Sequence, residues 1–246
     1  MANNFTLLLK KEFIDNRKPM LIGLVGILAT YILSGILFGL MEGFGIVAEL
    51  VAFSFITSMV VTIVASLTFS NMKTKEGRIN TLMIPATPFQ KFIIRWIATV
   101  PLMLIVVGVS CFLGDFARLI VERMNHYSNP DYDTISKVFQ KFYNEEWGLL
   151  GSITIMSLMV SQSIYFLGSI LWPKLSFIKT MAVMQVLQLL FTIGLMAIDF
   201  NIILEPIKLL HNLSTASYIG GTVVSLALYV AAYWRFRNSE VVYKLF

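Results

Sequence analysis

Charged residues are scarce in this sequence: Asp, Glu, Lys and Arg make up 13% of its 246 residues, while 57% are hydrophobic. A soluble domain usually carries about 25% charged residues. One soluble core cannot hide this much apolar surface, so lipid must cover part of it. The composition therefore excludes an ordinary soluble domain and predicts an integral membrane protein.

Residues that carry catalytic or metal chemistry are also few. The single cysteine, Cys111, lies in an apolar run, so neither an intrachain disulfide nor a cysteine-based metal site is possible. The two histidines, His126 and His211, fall outside the predicted membrane core, and neither H-E-x-x-H nor G-x-S-x-G occurs. We therefore expect no catalytic residues, no metal site and no enzymatic activity.

A nucleotide-binding motif is missing as well. The sequence has no G-x-x-x-x-G-K-[ST] phosphate loop, and its two Lys-Thr pairs, Lys73-Thr74 and Lys179-Thr180, lack a glycine-rich lead-in. The sequence thus predicts no ATP-hydrolysing site and no cofactor on this chain.

Ionisable residues are missing from the middle of the long apolar stretches. Proton- or sodium-driven carriers usually place such residues deep in the membrane. Here Glu49, Asp115 and Asp199 lie at the ends of apolar stretches, where we expect them in the headgroup zone. An ion-coupled carrier is therefore a minor hypothesis.

What the sequence does have is six long apolar stretches. A helix needs roughly 20 apolar residues to cross the hydrocarbon core of a bilayer. The fold class that this predicts is an all-α membrane domain with six spans, at residues 19–41, 50–72, 93–114, 147–172, 179–198 and 214–234. The first stretch is too long for a cleaved signal peptide, so we interpret it as a span.

The positive charges set the predicted orientation. Fourteen Lys and Arg residues fall on one side of the six spans and five on the other, whereas acidic residues divide four to ten. Cytoplasmic segments carry the excess of Lys and Arg, so both termini are predicted to be cytoplasmic. Because the basic residues cluster at span ends, the net charge of +5 indicates membrane lipid rather than nucleic acid as a partner.

Two segments outside the spans have an amphipathic pattern. Residues 1–18 place Phe5, Leu8, Leu9 and Phe13 on one helical face, which predicts an interfacial helix or, alternatively, a short extension of span one. The second segment precedes span six and predicts either a re-entrant or interfacial helix or an amphipathic lid. Its candidate residues are Glu205, Pro206 and His211. Residues 115–146 form the predicted extracytoplasmic loop.

The loop between spans two and three has readable helix signals. Thr87 is a candidate helix cap, Pro88 suits the first helical position, and Gln90 completes a capping box. Residues 73–83, before this cap, predict a short helix exposed to the cytoplasm; a plain solvated loop is the alternative.

The same loop resembles that of ABC transporter permeases of the type-2 exporter class. Residues 76–87 read EGRINTLMIPAT, with an acidic residue and a glycine before a Thr-Leu pair and a Pro-small-Ser/Thr turn. Three residues, 78–80, separate the glycine from Thr81, which departs from the general pattern. The loop is more similar to a subfamily with Lys-x-Gly-Arg, Leu-Pro-Ala-Ser and Lys-Phe; Thr87 replaces the serine, and Lys91-Phe92 matches.

This resemblance implies a half-size permease in the inner membrane of a bacterium. A second permease chain, identical or related, completes the pathway, and separate ABC ATPase subunits bind ATP and Mg on the cytoplasmic side. The loop helix then contacts the ATPase through Lys73, Lys75, Glu76, Gly77, Arg78, Thr81, Leu82 and Met83. The alternative hypothesis is a non-transporting membrane scaffold or sensor subunit. The substrate is not readable from the sequence.

Overall fold

The part of the chain that the structure describes is helical and contains no strand. The structure is a computed structural model, and it describes residues 2–15, 17–41, 46–125, 148–196 and 213–242. The predicted all-α class is therefore confirmed for this part. The outer segment with Glu205, Pro206 and His211, and most of the predicted loop 115–146, lie outside the described residues.

Nine α-helices and one short 3₁₀ helix make up the described chain. In order they are α1 (Ala2–Asp15), α2 (Arg17–Leu40), α3 (Ile46–Leu67), the 3₁₀ helix (Ser70–Lys73), α4 (Lys75–Met83), α5 (Pro88–Thr99), α6 (Pro101–Met124), α7 (Gly148–Leu171), α8 (Ser176–Met196) and α9 (Leu213–Val242). Each of the six predicted spans overlaps at least one of the longer helices.

Four helical segments are long and apolar enough to cross a membrane. They are Arg17–Leu40, Pro88–Met124, Thr154–Leu171 and Ile219–Asn238. Two more, Val51–Leu67 and Ser176–Leu190, are apolar but shorter. This arrangement is compatible with a multi-pass membrane protein, while the count of six spans stays a prediction.

The third predicted span, residues 93–114, includes parts of two helices, α5 and α6. The chain becomes helical at Pro88, but α5 ends at Thr99 and α6 begins at Pro101. Proline has no backbone N–H and its ring crowds the preceding turn, so it interrupts a helix. The helix also continues to Met124, well beyond the predicted span end at residue 114.

The helices form two compact units. The first comprises Met1–Val61 and Gln90–Lys141, and the second comprises Thr62–Phe89 and Phe142–Phe246. In the first unit, α2 packs closely on α6 through glycines. A Cβ atom on Gly35 would overlap the carbonyl oxygen of Gly114, and one on Gly114 would lie 2.8 Å from the carbonyl oxygen of Tyr31. Small residues let two helix backbones approach in this way.

The second unit has an aromatic core. Phe166 of α7 lies edge-on to Phe69 at 5.5 Å between ring centroids and edge-on to Tyr229 of α9, also at 5.5 Å. Phe236, near the end of α9, lies 5.3 Å from Phe69. Phe69, Phe166 and Phe236 are fully buried. Edge-to-face pairs add to area burial, so this core holds α7 and α9 against the chain that leads into α4.

Candidate functional site

The predicted coupling segment contains a helix, α4, with a defined start. Thr74 precedes it in extended conformation, and its hydroxyl oxygen accepts a hydrogen bond from the backbone N–H of Gly77 at 3.1 Å. Threonine favours this N-cap position because its side chain satisfies an N–H that has no partner within the helix. The helix therefore begins where its sequence supplies a cap.

One side of α4 packs against the 3₁₀ helix before it. A Cβ atom on Gly77 would overlap the carbonyl oxygen of Asn71, so the two backbones meet where only glycine fits. Thr81, one turn further on, is buried and donates its hydroxyl to the carbonyl oxygen of Gly77 at 2.8 Å. Met72 is also buried. The predicted residues Gly77 and Thr81 thus hold the helix in place and lie on its inner side.

The other side of α4 is exposed. Lys75, Glu76, Ile79 and Asn80 are exposed, and Met83 is 78% exposed, among the most exposed large apolar side chains described. Lys73, in the 3₁₀ helix, is half-buried. The side chains of Arg78 and Leu82 lie outside the described part. The exposed face combines both signs of charge with apolar side chains, which suits a protein contact better than a purely solvated surface.

The link from α4 to α5 is short. Ile84 follows α4 in extended conformation, and α5 begins at Pro88, directly after Thr87. The start of α5 is where the Thr87-Pro88-Gln90 pattern predicts it, whereas the reciprocal capping bonds of Thr87 and Gln90 stay a prediction. Only four residues therefore separate the exposed helix from the next long helical segment.

A buried ionic cluster lies in the first unit and was missed from the sequence. Arg118 of α6 places Nη2 2.7 Å from Asp115 Oδ1, Nη1 2.8 Å from Glu122 Oε1, and Nε 2.7 Å from Glu49 Oε2. Glu49, from α3, is 1% exposed, and Arg118 is 2% exposed. Asp115 and Glu122 are buried as well. Three carboxyl groups thus surround one guanidinium.

Part of this cluster has a sequence signal. Asp115, Arg118 and Glu122 stand three and four residues apart, the spacing that brings charged side chains together on a helix. Glu49 has no such signal, because it reaches Arg118 from another helix. The sequence predicts Glu49 and Asp115 in the headgroup zone. It does not predict that the two side chains are buried by protein around Arg118.

A second polar contact joins α2 and α3, away from the cluster. The hydroxyl of Tyr31 hydrogen-bonds with Thr57 Oγ1 at 2.6 Å. Phe53 lies one helical turn from Glu49 and from Thr57 on α3, and its Cζ would be 2.9 Å from a Cβ on Gly114. An aromatic ring therefore occupies the interior between the ionic cluster and the Tyr31–Thr57 pair. The described residues hold no group of three or more His, Cys, Asp or Glu able to bind a metal ion.

Comparison with protein-family models, with curated proteins and with solved structures gives no match to this chain.

Proposed function

We propose that this chain is the membrane-spanning permease subunit of an ATP-driven exporter of the type-2 ABC class. The observation that supports it most is α4: a short capped helix, exposed on one side and packed on the other, set between two apolar helical segments. An ATPase needs such an element because movement has to reach the spans through a rigid contact.

The packing of α4 suits the transmission of movement. A Cβ atom on Gly77 would overlap the backbone of Asn71, and Thr81 is buried, so α4 is closely packed on the 3₁₀ helix. The 3₁₀ helix follows α3, and four residues lead to α5. Packed helices pass small shifts on as rigid bodies. A partner that pushes on the exposed face of α4 would therefore act on the chain that connects α3 to α5.

The proposal includes a membrane topology. Six spans, with both termini and α4 in the cytoplasm of a bacterium, follow from the apolar stretches and from the excess of Lys and Arg on one side. Two of the six proposed spans lie in α3 and α8, whose apolar segments are the shorter ones. Two permease chains, identical or related, form the pathway, and the partner ATPases bind ATP and Mg.

Charge reversal on α4 tests the proposal. The variant Glu76→Lys with Arg78→Glu is expected to lose co-purification of the ATPase, or its stimulated ATP hydrolysis, since both charges orient the contact. The matched control is Lys174→Glu, an exposed charge on the turn between α7 and α8 that is predicted on the same membrane side. Unchanged ATPase binding and turnover in the double variant would count against the proposal. Retained binding without ATP-dependent substrate movement in the native protein would favour a scaffold or sensor instead.

A further inference from the structure

The ionic cluster of Glu49, Asp115, Arg118 and Glu122 is not balanced in charge. When all four groups are ionised, three carboxylates face one guanidinium and the net charge is −2. Burying a charge without compensation is costly, even after relaxation of the surroundings. The described residues of α2 that pack here, Gly35 and Gly39, add no charge. Among these four groups, neutralising one of the three carboxylates would therefore lower the cost of burial.

The geometry favours a proton over a metal ion as the neutralising charge. The Arg118 guanidinium already occupies the space between the carboxyl groups, within 2.7 to 2.8 Å of an oxygen from each. A metal ion bound by the same oxygens would lie against this guanidinium, and the described residues form no metal-binding group. A proton needs no such space, since it binds covalently to one carboxylate oxygen.

The hydrogen bonds indicate which carboxyl group takes the proton. Asp115 Oδ1 and Glu122 Oε1 each accept a hydrogen bond from Arg118, at 2.7 and 2.8 Å. The N–H at Nε also donates to Asp115, at 3.3 Å. Neither oxygen of Glu49 accepts a hydrogen bond from a residue that the structure describes, although both are fully buried. An ionised carboxylate without donors is the costliest group to bury.

We propose that Glu49 is a proton-binding site and that its carboxyl group is neutral in the folded protein at neutral pH, with the proton on Oε1. Oε2 then contacts Arg118 as an uncharged oxygen, and Asp115 and Glu122 keep the ionic hydrogen bonds. Because Glu49 belongs to α3 and the other three residues to α6, the site links protonation to the contact between these helices. The inference does not depend on the proposed transport function.

Infrared spectroscopy of the purified chain tests the site. The C=O stretching band of a neutral carboxylic acid is separate from amide and carboxylate bands, and it moves when the protein is exchanged into D₂O. Wild type is expected to show this band at neutral pH, Glu49→Gln is expected to lose it, and Glu76→Gln, at an exposed position on α4, is expected to keep it. Absence of the band in wild type, or its persistence in Glu49→Gln, would overturn the proposal.

A second measurement covers the case in which Glu49→Gln does not fold. Glu122→Asp keeps a carboxylate beside Arg118 and leaves Glu49 as the glutamate of the cluster. With carbon-13 glutamate incorporated by cell-free synthesis, the acid band of this variant is expected to shift to lower frequency. A band that the label does not shift would place the proton on an aspartate and refute the assignment to Glu49.

Discussion

Arg118 lies at the centre of the buried ionic cluster in the first unit. It is almost fully buried and contacts three carboxyl groups on two helices. A buried salt bridge adds little net stability compared with apolar residues, yet removal of one partner alone is strongly destabilising. The cluster therefore adds little to the net stability of the fold, but it makes that stability sensitive to the loss of Arg118.

Replacement of Arg118 by Leu should destabilise the chain by about 3–5 kcal/mol, because it leaves the carboxyl groups without their cation. The control is Arg123→Leu, an exposed position on the same helix, which should change stability by less than about 0.5 kcal/mol. Thermal unfolding in detergent, followed by intrinsic fluorescence, compares the two variants. Equal unfolding temperatures would show that the ionic contacts do not form.

Residue-scale features divide clearly into those the sequence could and could not predict. The spacing of Asp115, Arg118 and Glu122 is visible in the sequence, because helical geometry alone brings them together. The contact of Glu49 with Arg118 depends on how α3 packs against α6, which no local pattern encodes. The requirement for glycine at residue 77 likewise comes from its contact with Asn71.

At the scale of elements, close packing of α2 on α6 shapes the first unit. Gly35 and Gly114 bring the two backbones into contact, and a Cβ on Gly39 would lie 2.9 Å from Cβ of Val121. The sequence has 15 glycines, and nothing local separates these from Gly26, which has open space around it. The length of an apolar stretch predicts that a helix forms. Which face of that helix packs against a neighbour is visible only in the structure.

Gly35→Ala should destabilise the first unit by about 1–3 kcal/mol, since the added methyl overlaps the Gly114 carbonyl and forces the helices apart. Gly26→Ala, on the same helix with nothing near its Cβ position, should be neutral or stabilising by up to about 1 kcal/mol. Urea or thermal unfolding of both variants in the same detergent measures the difference. Should Gly35→Ala match Gly26→Ala in stability, the close approach of α2 and α6 would be refuted.

Helix boundaries show the same limit of sequence reasoning. The Thr87-Pro88 pattern locates the start of α5 correctly, because capping chemistry is local. The boundary between α5 and α6 is also local in origin, since Pro101 has no backbone N–H for the helical hydrogen-bond ladder. The helix α6 extends to Met124, beyond the predicted span end at residue 114, and its burial around an ionic cluster was not predicted.

At the scale of the whole molecule, composition determines most of what can be inferred. Low charge and long apolar stretches predict a helical membrane protein, and the described part is helical with four segments able to span a bilayer. Orientation and partners depend on lipid and other proteins, neither of which a single chain contains. The proposed role of α4 follows from its exposed face and its packing.

The central claim is that α4 contacts a nucleotide-hydrolysing protein in the cytoplasm, and a photo-crosslinking amino acid at position 83 in living cells tests it most directly. Met83 is 78% exposed, so a crosslinker there should not disturb the fold. We predict that it captures a protein with a G-x-x-x-x-G-K-[ST] phosphate loop, and that Glu76→Lys with Arg78→Glu abolishes the capture. Crosslinks only to extracytoplasmic proteins, or only to proteins without that loop, would contradict the claim.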